Sequence, residues 1–89
     1  MPVVNFTAHL DGVAPPDPVM VKGACVREAL MQVFTEHPRL QSYVFDDQDR
    51  LRKHVAIFVN AELIRGDRIL ETPVGDDTEI HVLQALSGG

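Results

Sequence analysis

His54-Val55-Ala56-Ile57-Phe58-Val59-Asn60 is the stretch whose reading decides the fold. Side chains of an extended chain point alternately to its two faces, so Val55, Ile57 and Val59 share one face while Ala56 and Phe58 share the other. Their β-branched character suits a pleated strand. Asn60, a residue type favoured in turns, is expected to end it.

Upstream, the run Asp46-Asp47-Gln48-Asp49 reads as a surface loop, with Leu40, Tyr43, Val44 and Phe45 available to dock the segment from Pro38 to Arg52 onto a core. Between Cys25 and His37 the apolar residues Val26, Ala29, Leu30, Val33 and Phe34 recur at helical spacing. An amphipathic helix is expected there, with Gly23 near its start and Pro38 stopping it, because the residue before a proline is driven out of the helical region. At the other end, Val4, Phe6, Ala8 and Leu10 alternate with Asn5, Thr7 and His9, the period of a strand with one buried face. Asp11-Gly12 opens a turn, Pro15, Pro16 and Pro18 forbid a helix, and Val19-Met20-Val21 offers a second short strand, so the two are expected to form a hairpin with a long loop.

Downstream, Ile64 and Ile69 are short apolar anchors around Arg65-Gly66-Asp67, and Gly75-Asp76-Asp77 reads as a tight turn before a last strand, Glu79 to Leu83. Ile80 and Val82 would then point inward and His81 and Leu83 outward. A hairpin, a helix and further strands describe a two-layer α+β domain: a mixed sheet of about four to five strands with one main helix packed on one face. Periodicity does not write strand order, but the arrangement is compatible with a β-grasp. Residues 1–84 are read as the domain and residues 85–89 as a flexible tail.

With 89 residues the chain fits one small domain, and 45% hydrophobic and 24% charged residues match an ordinary globular composition. A net charge of −5 argues against a nucleic-acid partner, which needs clustered cations. Arg50, Arg52 and Lys53 stand beside Asp46, Asp47 and Asp49 as in an ordinary solvated loop. Cys25 has no second cysteine to pair with and reads as a small, partly buried residue near the helix start. His9, His37, His54 and His81 lack metal-ligand spacing, so no metal is expected. Met1 to Leu10 has neither the basic region of a signal peptide nor an unbroken apolar run, which leaves a cytoplasmic protein without a membrane partner as the expectation.

The order of these elements, the central Val55-x-Ile57-x-Val59-Asn60, the Gly75-Asp76-Asp77-x-Glu79-Ile80 turn and strand, and the terminal Gly88-Gly89 resemble the MoaD/ThiS family of ubiquitin-like sulfur carrier proteins. The likeness covers essentially the whole domain. Arg50-Leu51-Arg52-Lys53, leading into the strand, looks closer to carriers that serve cysteine biosynthesis and related sulfur insertion. Two positions depart from the pattern: Gln84 or Ala85 stands where many members carry proline, and Thr78 where glycine or an acidic residue is frequent.

The resemblance implies a β-grasp fold and a carrier, not an enzyme. It implies that Gly89 is adenylated by an ATP-dependent adenylyltransferase related to ubiquitin-activating enzymes, converted to a thiocarboxylate, and presented to a sulfur-accepting biosynthetic enzyme. No cofactor would be bound stably, since the partner uses the ATP. The alternatives it leaves are a small subunit of molybdopterin synthase and a ubiquitin-like protein modifier joined through Gly89 to lysines.

The tail suits that chemistry. Glycines at 88 and 89 lack Cβ and can thread a narrow channel, and Ala85 to Gly89 fully extended spans at most about 17 Å. Leu86, Ser87 and Gly88 would carry Gly89 into a buried site. Phe58 and Leu83, with Leu86, could form an apolar docking patch beside the tail unless the Leu40 to Phe45 segment covers them.

Overall fold

Val4, Ile57, Ile80 and Val82 are fully buried and fall on three adjacent strands. The computed structural model describes residues 1–6, 17–66 and 68–84, leaving aside the side chain of Gln84. The strands are β1 (Val3–Phe6), β2 (Val19–Met20), β3 (Val55–Val59), β4 (Glu62–Leu63) and β5 (Glu79–Gln84). They form one sheet in the order β2-β1-β5-β3-β4. β1 and β5 run parallel, with Val4 beside Ile80 and Phe6 beside Val82. β2 is antiparallel to β1, and β3 is antiparallel to both β5 and β4. The last strand of the chain is therefore the centre of the sheet.

The expected face assignment is borne out: Val55 and Ile57 are buried and Val59 packs against the core, as do Ile80 and Val82. The helix α1 (Val26–Glu36) covers this face with Val26, Ala29, Leu30, Val33 and Phe34, all buried. Cys25 takes the N-cap position with an extended backbone and makes no side-chain cap bond. Glu28 supplies the cap instead, its Oε1 accepting from the Ala24 N–H at 2.8 Å. Gly23 runs so close beneath this turn that a Cβ there would stand 2.8 Å from the Ala29 nitrogen.

The segment after Pro38 differs from expectation. Pro38 does end α1, but it also begins a second helix, α2 (Pro38–Val44), at whose first turn its fixed φ and missing N–H cost nothing. Leu40, Val44 and Phe45 are buried in the same core, and the Phe45 ring meets Phe34 edge-on at 5.1 Å. Tyr43 stays exposed. The helical layer thus holds the expected main helix, α1, with the shorter α2 beside it, and a 3-10 turn at Ile69–Glu71 closes its end by burying Leu70.

β2 is shorter than expected. Val21 leaves the ladder, donates its N–H to the Pro2 carbonyl and buries its side chain. The outer half of the first strand, Ala8 to Leu10, and the Asp11-Gly12 turn lie outside the described residues, as do the two prolines that follow.

Asn60 and Ala61 both adopt positive φ, 50° and 69°, which makes a tight hairpin between β3 and β4 whose twist matches the strands. The Asn60 Oδ1 accepts the Glu79 N–H at 2.9 Å, tying this hairpin to β5. Thr78 is buried and closes the turn before β5: its Oγ1 accepts the Gly75 N–H at 2.8 Å and its own N–H returns to the Gly75 carbonyl.

Candidate functional site

The face of the sheet turned away from the helices carries the second set of side chains. Register places Asn5, His81, Phe58 and Leu63 in one row across β1, β5, β3 and β4, with Leu83 next along β5 opposite Ala56. Phe58 and Leu83, named from alternation alone, are both half-buried and line one shallow groove of about 410 Å³. Phe6 and Val82 also line it, and so do Asn5, Ala61 and His81. These three were not singled out as site residues, although the same period-two pattern places Asn5 and His81 on this face. Leu40, Val44 and Phe45 pack on the opposite, helical side, so they do not cover it.

The groove is largely apolar, with Asn5 and His81 as its polar members. His81 Nε2 lies 3.7 Å from Glu79 Oε1, both side chains largely open to solvent. The groups whose acidity is displaced lie elsewhere. Asp46 is held below the ordinary carboxylate range chiefly by the Arg50 backbone N–H, with that of Gln48 adding to it. Glu71 is held below it by the Arg68 guanidinium, which donates two hydrogen bonds to the carboxylate and attracts its charge.

β5 ends at Gln84, whose register partner is Val55, the first residue of β3. β5 therefore ends beside the start of β3. Leu86, Ser87, Gly88 and Gly89 lie outside the described residues, and so does His9. Cys25 is half-buried, its backbone bridges to Pro73, and it does not line the groove just described. Among the described residues no three His, Cys, Asp or Glu side chains converge as a metal site, and no helix is long and apolar enough to cross a membrane.

A five-stranded mixed sheet with parallel first and last strands at its centre and helices over one face is the ubiquitin-like β-grasp. A profile of the ThiS family matches residues 17–89, and the chain belongs to that family of ubiquitin-like sulfur carriers and modifiers. Its members are small carrier proteins, not catalysts.

Solved structures agree. A crystal structure of the BexX/CysO complex of Amycolatopsis orientalis contains a chain that is 26% identical, each chain covered over its full length, with a TM-score of 0.86. The solution structure of small archaeal modifier protein 1 from Methanosarcina acetivorans is 28% identical over 99% of this chain and 95% of that one, with a TM-score of 0.85. The corresponding protein of Haloferax volcanii is 30% identical over 99% and 98%, with a TM-score of 0.79. No curated protein sequence matches the chain.

Proposed function

We propose that the chain carries sulfur as a thiocarboxylate on Gly89, loaded by an ATP-dependent adenylyltransferase and delivered to a biosynthetic enzyme in the cytoplasm. The observation that carries this reading is the ThiS-family match, which spans the central strand β5 and the Gly88-Gly89 that follows it. A carboxylate is a poor acyl donor. Attack of its oxygen on the α-phosphorus of ATP expels pyrophosphate and gives an acyl adenylate. Hydrosulfide then adds to the acyl carbon, the C–S bond forms, and the C–O bond to AMP breaks with its electron pair leaving on AMP. The thioacid loses its proton, and the anion places charge on polarizable sulfur while the carrier keeps it from diffusing away.

The body's part is docking. Phe58 and Leu83 present the apolar groove on the face turned away from the helices, and burying such a patch supplies affinity while the tail reaches the reacting centre. That the similar chain of Amycolatopsis orientalis occurs in a complex with BexX supports a partner-dependent role. A modifier role, in which Gly89 is joined to substrate lysines, draws its support from the likeness to small archaeal modifier protein 1.

The test mixes the protein with its cognate activating enzyme, ATP and sulfide, and reads intact mass. Wild type should exchange one oxygen for sulfur. Deleting Gly89, or adding one residue after it, moves the reactive carbonyl by about 3.5 Å and should abolish the exchange with little change in melting temperature. Sulfur gain at the wild-type rate by either variant would refute the terminal mechanism. A ladder of heavier conjugates in host cells, without thiocarboxylate, would establish the modifier role.

A further inference from the structure

The helical side of the sheet holds a second groove, of about 460 Å³, at the start of β3. Arg27, Arg50, Arg52 and Lys53 line it, half of the chain's eight Lys and Arg residues, on a protein of net charge −5. In sequence three of these follow directly on Asp46, Asp47 and Asp49, but none of those aspartates lines the groove. Asp46 accepts the N–H groups of Gln48 and Arg50 through Oδ1 and pairs with the Arg50 guanidinium through Oδ2 at 3.4 Å, so the charge offered to a ligand rests on Arg27, Arg52 and Lys53. Glu71 is the one acid in the lining, and Arg68 already holds it through two hydrogen bonds.

Two of the guanidiniums are fixed by neutral acceptors. Arg27 donates to the Asp49 carbonyl at 3.0 Å and sits 5.9 Å from the centre of the Phe45 ring. Arg52 donates to the Ser42 carbonyl at 2.7 Å. Such contacts position a cation without neutralising it, so the remaining N–H groups stay available to an anion. Val55, which lines the groove, is the register partner of Gln84, so the cations stand at the root of the tail.

We infer that this groove docks an acidic polypeptide segment of the activating partner, at the mouth of the channel that receives the tail. The inference rests on the carrier reading for the identity of the partner. The five residues beyond Gln84 extend at most about 17 Å, so with the tail extended the groove stands about that far from the reacting carbonyl and meets the partner's surface, not its nucleotide. A peptide carboxylate suits the occupant better than a nucleic acid, because a phosphodiester strand would run out of the groove across a body of like charge. Rim charges of this kind act mainly on encounter rate and on its salt dependence.

The test has two arms. In the first, the isotopically labelled full chain is titrated with an octaglutamate peptide at low salt and followed by NMR. Shifts should concentrate at Arg27, Arg52, Lys53 and Val55, fade with added salt, and vanish in Lys53→Glu. Shifts spread equally over Lys22, Arg39 and Arg65, no shifts at all, or tighter binding of an oligothymidylate of equal charge would overturn the inference. In the second arm, Lys53→Glu with Arg52→Gln should raise the KM of sulfur loading roughly tenfold at low ionic strength, leave kcat unchanged, and lose most of the salt dependence. Lys53→Glu alone serves if the double variant melts early. An unchanged salt dependence in a folded variant would overturn it. If wild type takes up no sulfur while the peptide still binds in the groove, the carrier reading fails and the acidic-segment site stands.

Discussion

Ile57 and Phe58 are neighbours on β3 that face opposite ways, and truncating each should produce opposite defects. Ile57 is fully buried beneath α1, so Ile57→Ala leaves a cavity that costs about 2–5 kcal/mol. At about 4–8 °C per kcal/mol for a chain of this length, a loss of about 3 kcal/mol lowers the melting temperature by roughly 12–24 °C. Phe58 is half-buried in the free protein. Full burial of a phenylalanine is worth about 1.5–3 kcal/mol, so about 1 kcal/mol comes from the protein's own packing and a similar amount remains for a partner to claim. Phe58→Ala should therefore lower the melting temperature by only about 4–8 °C while raising the KM of sulfur loading about fivefold. Ile57→Ala, assayed below its melting transition, should keep the wild-type KM. Circular dichroism melts give the first quantity, and intact-mass assays over a range of carrier concentrations give the second. An unchanged KM in Phe58→Ala would place docking elsewhere, and a collapse of that variant with a stable Ile57→Ala would mean the strand faces are reversed.

Two further outcomes follow from local geometry. Gly23→Ala forces a Cβ against the Ala29 backbone and should cost about 1–3 kcal/mol, whereas Gly75→Ala meets open space and should stay within about 0.5 kcal/mol of wild type in denaturant melts. Asp46 has a folded-state pKa below its unfolded one, so its contribution is present above the ordinary carboxylate pKa and is lost as pH falls through the lower folded value. The stability gap between wild type and Asp46→Ala should accordingly be constant near neutrality and close in acid; a gap that widened on acidification would contradict the assigned hydrogen bonds.

Much of this architecture is legible in the chain because its strong signals are periodic. Alternation in β3 and β5 specifies which side chains face the helices, and helical spacing from Val26 to Phe34 specifies what meets them. Pro38 misleads because a proline carries two meanings: it bars the helix before it and suits the first turn of a helix after it. A seven-residue α2 is too short for its period to decide between them. The basic groove is illegible for a different reason. Arg27 belongs to α1 and joins Arg50, Arg52 and Lys53 only in three dimensions, and none of the aspartates from 46 to 49 lines the groove. Phe58 and Leu83 were found because a face is a property of one strand, and the groove's other walls were not because they come from several.

The pairing of Val3 with Glu79 has a consequence for how the protein is made. β5 joins the β2-β1 pair to the β3-β4 hairpin, and within the sheet no hydrogen bond links the two pairs without it. A nascent chain must hold its first strand unpartnered on that side until almost the whole sequence has left the ribosome, so closure is a late, non-local event and slow by the standards of helical proteins. A message cut short before Glu79 would yield two disconnected hairpins with open edges, fit for degradation and not for work. The row Asn5, His81 and Phe58 exists as a surface only after β5 has entered the sheet. Any enzyme that recognises that row is thereby reading out that synthesis has reached the strand leading to the terminal glycines.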